Sequence, residues 1–347
     1  MAEKNKMIDG KENAKEETSD LNTKGPELVQ MIGDRLTSLI DQNHPGKSVI
    51  INGISGSQKS LAAASLLAKY NTAVIVVPTQ KDIFRWEENL KFFVPDARIF
   101  SFPVVEEAGF EGTFSSTERL RERMRSLSAM INGEKSIIIA AAVEAAQKIS
   151  APSSIKDHLY KFELGSEIER REVLEVLQDL GYERVDQVER SGHFSVRGDI
   201  VDIYPINEIH PVRIEFFGDE IDSIRLFDVD SQRSIETLES QSVFPVAVKG
   251  SKNSSVLSYL DHGIVFYDEP QRGEESLKQF FKEEKANADK AFLWSELIHT
   301  ARKQTNQEIV FSLLKRELEE FKPSVYHNWN GQEMTNYQRQ IPIFTAD

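Results

Sequence analysis

The chain has 347 residues, with 42 Lys+Arg against 56 Asp+Glu (formal net charge -14), 39% hydrophobic and 28% charged side chains, and no cysteine. At roughly 100–200 residues per domain this length provides for two or three units. The missing cysteines exclude disulfides, thiolate zinc sites and cysteine nucleophiles and fit a reducing, cytoplasmic setting. No run approaches the roughly 18 apolar residues a membrane span needs, and the acidic balance counts against a surface built to grip phosphate backbones.

Residues 1–25 are polar and mixed in charge, too poor in large apolar side chains to offset the entropy of ordering, so a disordered tail is expected. Pro26 suits a first helical turn, and Leu28, Met31, Ile32, Leu36 and Ile40 follow at helical spacing. Four apolar strands come next: Ser48–Asn52, Thr72–Pro78, Arg98–Pro103 and Ser136–Ala140. The helices expected between them are Leu61–Leu67, Asp82–Phe93 and one from the capping-box spacing Ser115-Ser116-Thr117-Glu118 to about Ile131, with a fourth running through Ile149. Apolar strands alternating with helices predict an α/β fold whose parallel sheet is covered on both faces.

After Ala151-Pro152 the period changes. A helix over Ile168–Leu180 leads to strands at His193–Tyr204, Val212–Phe217 and Glu220–Phe227, an antiparallel meander of a separate α+β domain. In the first of these, Phe194 and Val196 are out of phase with Val201 and Ile203, and a bulge at Gly198 would restore one inner face. Lys249–Ser255 reads as a linker, and Gly263–Glu269 returns to the parallel-strand signature. The economical organisation is a tail (1–25), an α/β module (26–150), an inserted domain (151–248) and a returning part of the module (249–347).

Gly53-Ile54-Ser55-Gly56-Ser57-Gln58-Lys59-Ser60 lies between strand and helix, where a phosphate-binding loop would sit. Lys59 and Ser60 match that pattern, but Gln58 replaces its second glycine, and a Cβ there crowds the phosphates. Asp268 and Glu269 end an apolar run as a magnesium-holding strand end does. Gly53, Gly56, Lys59, Ser60, Asp268 and Glu269 are thus a candidate nucleotide set, against the plainer reading of a turn that needs small residues. The seven histidines show no paired metal spacing, Asp228–Ser231 reads as a polar turn, and Arg119, Arg121, Arg123 and Arg125 read as a solvated helix face. Period-two counting puts Arg197, Arg213 and Glu215 on the outer face of the meander, with Arg184 just before it. Such arginines serve either solubility or a protein contact.

The runs Gly181–Val188, Phe194–Pro205, Phe216–Arg225 and Phe227–Arg233 resemble the bacterial transcription-repair coupling factors, the Mfd family, and the excision-repair helicase UvrB shares a similar block. Gly53–Ser57 and Asp228–Arg233 favour the former. The resemblance implies a degenerate RecA-like P-loop module interrupted by an inserted domain that recruits UvrA, with Arg184, Arg197, Arg213 and Glu215 on the contact face. It implies no catalysis and no required cofactor in this stretch, although Lys59, the phosphate-loop lysine that family members usually lack, together with Ser60 keeps ATP with magnesium as an alternative. RNA polymerase and DNA would be engaged by parts of the family's full-length proteins that lie beyond Asp347, and no membrane is implied. A UvrB-like ATP-dependent repair subunit is the rival reading. Val104–Phe114, where UvrB carries a tyrosine-rich DNA-clamping hairpin, has no tyrosine.

Overall fold

The computed structural model describes residues 25–27, 29–30, 48–67, 69–103, 114–246, 252–283 and 290–329. Of the expected tail over residues 1–25, residues 1–24 lie outside these, as do the apolar positions Leu28, Met31, Ile32, Leu36 and Ile40 and Val104 to residue 113, whereas Gly25 is helical and buried and so is not part of a disordered tail.

Seven strands form one parallel sheet: β1 (Ser48–Asn52), β2 (Thr72–Val77), β3 (Arg98–Ser101), β4 (Ser136–Ala141), β13 (Gly263–Asp268), β14 (Thr305–Ser312) and β15 (Ser324–Asn328), in the order β15-β1-β14-β13-β2-β4-β3. Period-two alternation sends neighbouring side chains into two different cores. Val49, Ile51, Ile75, Ile139, Phe266 and Phe311 meet Leu61, Leu66, Trp86 and Leu90 of helices α1 (Ser57–Leu67) and α2 (Gln80–Phe93). Ile50, Val74, Val76, Ile138, Tyr267 and Val310 face α3 (Phe114–Ile131), α4 (Ala142–Ala146), α7 (Pro270–Glu283) and α8 (Trp294–Gln304). Strands buried on both faces must be apolar throughout, which is why these β-branched runs form them.

Between β4 and β13 the chain builds a six-stranded sheet ordered β11-β10-β9-β8-β7-β6. Its strands are β6 (Glu183–Arg184), β7 (His193–Arg197), β8 (Ile200–Ile203), β9 (Val212–Phe217), β10 (Glu220–Phe227) and β11 (Ser234–Leu238). Every adjacent pair is antiparallel except β6 with β7. Phe194, Val201, Ile203, Ile214, Phe216 and Ile224 form its inner face and share a core with Val173 and Leu177 of α6 (Arg170–Asp179), which follows the short α5 (Pro152–Lys156). The chain enters on β5 (Tyr160–Glu163) and leaves on β12 (Ser240–Val243), and these two pair antiparallel.

Three expectations are corrected. His193–Tyr204 is a hairpin rather than one bulged strand: Gly198, at φ 61°, turns the chain so that Val196 faces Val201, which brings both apolar pairs inward. The arginine helix is not wholly solvated. Arg123 is buried, its guanidinium 4.8 Å from the centre of the Phe102 ring and donating to Pro103 O, and burial pushes its pKa down to about 10. The helix after β4 ends at Ala146 rather than Ile149, whose backbone bridges to Ser254, so the end of the expected linker is bound to the module.

Candidate functional site

The phosphate-loop-like turn follows β1, with Gly53 at φ 80° and Gly56 at φ 54°, and delivers Lys59 and Ser60 to the first turn of α1. Both side chains are buried, as is Gln58. Lys59 Nζ lies 2.6 Å from Asp268 Oδ1 and 2.7 Å from Glu269 Oε1, so the structure brings together most of the set named from sequence. Trp86 Nε1 donates to the other Asp268 oxygen at 2.9 Å, and Leu313 N donates to Glu269 Oε1 at 2.8 Å. Asn89 donates to Ser60 Oγ at 3.3 Å. The remaining space is a cavity of about 60 Å³ bordered by Lys59, Ser60, Asp82, Arg85 and Arg272. Over the turn, Trp329 N donates to Asn52 O at 2.7 Å, and a Cβ on Gly53 would come within 3.2 Å of Trp329 O.

The second constellation lies on the outward face of the meander. The ladder sets Ser195, Asp202, Arg213 and Arg225 side by side in one row, and Arg197, Ile200, Glu215 and Ser223 in the next. Asp202 is 1% exposed despite its outward phase, because two guanidiniums cover it. Arg213 Nε and Nη2 reach its two oxygens at 2.7 and 2.9 Å, and Arg197 Nη2 reaches Oδ2 at 2.8 Å. Arg213 also donates to Gln232 Oε1 at 3.0 Å and lies 4.5 Å from the centre of the Phe227 ring. The hydrogen bonds to Asp202 hold the Arg213 pKa above its usual value. Glu215 accepts from Ser223 Oγ at 3.0 Å and pairs with Arg225. Arg184 is exposed on the edge strand β6, where the register pairs it with inward-facing Phe194, so it is out of phase with the other three.

Sequence reasoning did not find Asp202, Gln232 or Trp86. Asp202 stands between Val201 and Ile203, and only the register with Arg213 gives it a meaning. Away from both constellations, Glu144 is buried at the start of α4 and accepts from Gln80 Nε2 at 2.5 Å, while its Oε2 has no hydrogen-bond partner among the described residues. Burial raises its pKa. No group of three or more His, Asp or Glu that could hold a metal ion occurs among the described residues, and no helix there is long and apolar enough to cross a membrane.

Residues 160–248 match the family model of the UvrB interaction domain. The matched stretch is about a quarter of the chain. It begins at β5, contains the whole meander and passes just beyond β12, so Arg184, Arg197, Arg213, Glu215 and Asp202 all belong to it. Similarity extends beyond this domain. The transcription-repair-coupling factor of Bacillus subtilis is 30% identical over 289 residues, 80% of this chain and 23% of that protein. Those of Staphylococcus epidermidis and Staphylococcus aureus are 32% identical over 201 residues and 31% over 195, covering 57% and 55% of this chain. The chain therefore spans about a quarter or less of the curated relatives it matches.

Proposed function

We propose that this chain is a UvrA-recruiting module of a transcription-repair coupling factor, acting in transcription-coupled nucleotide excision repair and not catalytic over the stretch given. The observation that carries the reading is the UvrB interaction domain at residues 160–248 with its outward arginines already fixed in place by Asp202. A planar guanidinium held in one rotamer loses little entropy when it pairs with a partner's carboxylate. Arg184, Arg197, Arg213 and Glu215 form the contact region in this reading, while RNA polymerase and DNA are left to other parts of a longer protein.

The parallel sheet reads as a degenerate RecA-like P-loop module. Its support is the strand–turn–helix at Gly53–Ser60 and the placement of Asp268 one strand removed from β1, across β14. No nucleotide is required in this reading. Lys59 is committed to Asp268 and Glu269, Gln58 stands where the phosphate loop needs a glycine, and the cavity of about 60 Å³ falls far short of the roughly 300 Å³ of a small-molecule pocket. The residues present do not fit ATP with magnesium, which weighs against the UvrB-like ATPase alternative.

Titration calorimetry with purified UvrA tests the proposal. Arg184→Glu is expected to weaken binding at least tenfold without changing Tm, and Arg197→Ala to weaken it as much with only a small fall in Tm, because Arg213 still covers Asp202; affinity is expected to fall with added salt. Alanine is the better probe at 197, since glutamate there would face Asp202. Wild-type affinity in both variants would reject the assignment, and heat from ATP-magnesium that disappears in Lys59→Ala would revive the ATPase.

A further inference from the structure

Hydrogen-bonding capacity separates the charged residues of the meander's outer face into two kinds. Arg213 spends Nε and Nη2 on Asp202 and Gln232 and lies over the Phe227 ring, and its side chain is only 18% exposed. Glu215 is likewise engaged by Ser223 and Arg225. Arg197 gives one nitrogen to Asp202 and is 51% exposed, which leaves donors directed at solvent.

Two positions beyond Glu215 along the same outward row of β9 stands Phe217, 81% exposed, the most exposed large apolar side chain among the described residues. It is not isolated on the sheet. Phe216 N donates to Asp199 O at 2.8 Å, so the β7–β8 turn that follows Arg197 lies beside it. Ile200, half-buried, occupies the same outward phase opposite Glu215. Its cross-strand partner is the exposed Glu220, and Glu215 stands two positions before it. A phenylalanine held on a strand beside charged side chains brings large contact area at small entropic loss, the make-up of an interface centre rather than of a solvated face.

We propose that Phe217 is the apolar anchor of the UvrA-docking face and Arg197 its principal charged contact, while Arg213 and Glu215 act by holding the rows in place. The docking surface of the partner then presents an apolar socket next to a carboxylate. This rests on the reading of the domain as UvrA-binding and adds the chemistry of the contact.

Titration calorimetry with purified UvrA at two salt concentrations separates the contributions. Phe217→Ser is expected to weaken binding at least tenfold with Tm and the salt dependence both unchanged. Arg197→Ala is expected to weaken binding and flatten the salt dependence. Phe84→Ser removes another exposed phenylalanine, on α2, and is expected to bind as the wild type does. Wild-type affinity in Phe217→Ser overturns the anchor while leaving UvrA recruitment standing, and so does an equal loss in Phe84→Ser. No binding by the wild-type chain overturns both.

Discussion

Two ion-pair clusters of similar make-up occur in this protein, and they face opposite ways. At the end of the parallel sheet one cation, Lys59, is closed in between two carboxylates, one of which also accepts from the Trp86 indole N–H. On the meander one carboxylate, Asp202, is closed in beneath two cations whose outer edges remain in contact with solvent. The sign of the central group decides the outcome. A buried lysine with two acceptors has little left to offer a phosphate, whereas a buried aspartate leaves a pair of guanidiniums presented and fixed. Burial of charge locks the first site and organises the second.

The largest expected effect breaks the closed cluster. Lys59→Ala strands two carboxylates, and removing one member of a buried pair costs about 3–5 kcal/mol, to be read as a loss of unfolding free energy in urea. An unchanged denaturation midpoint would show the cluster to be no more closed than a surface pair. Asp202→Asn should do less, about 2 kcal/mol, because Arg213 and Arg197 can turn toward water; UvrA binding should weaken with it as the guanidiniums lose their fixed orientation. Full affinity in that variant would mean that the organisation is irrelevant to docking.

The smallest effect concerns a buried acid with no cation at bonding distance. Burial raises the Glu144 pKa, so the folded state holds its proton more tightly than the unfolded chain does. Its favourable contribution is present below the usual carboxyl value and is lost as pH rises through the raised one. Glu144→Gln should therefore raise Tm at pH 7.5 and leave it unchanged near pH 4; equal shifts at both would refute the sign.

The parallel strands were legible because a strand buried on both faces has to be apolar at every position, as Val49–Ile51 and Ile137–Ile139 are. The meander was legible strand by strand, but Gly198-Asp199 suits a bulge and a turn equally, and only the pairing of Val196 with Val201 decides. Arg123 shows a different limit. It shares a helical face with Leu120, Leu127 and Met130, so spacing placed it inward while charge argued outward, and Phe102, Pro103 and Gln147 settle the matter from elsewhere in the chain. Lys59 could be seen in sequence as a loop lysine. Its two carboxylate partners lie 209 and 210 residues away, and no local pattern indicates that they occupy it.

The pairing of β5 with β12 bears on how the chain finds its fold. Strand β13 must locate β2 across the whole inserted meander. Once β5 and β12 have joined, residues 160–243 drop out of the search and the effective loop between β4 and β13 shrinks to about a third, lowering the closure entropy by about 1 kcal/mol. The meander would then form first and the parallel sheet afterwards, an order that pulse-labelling hydrogen exchange during refolding would display directly.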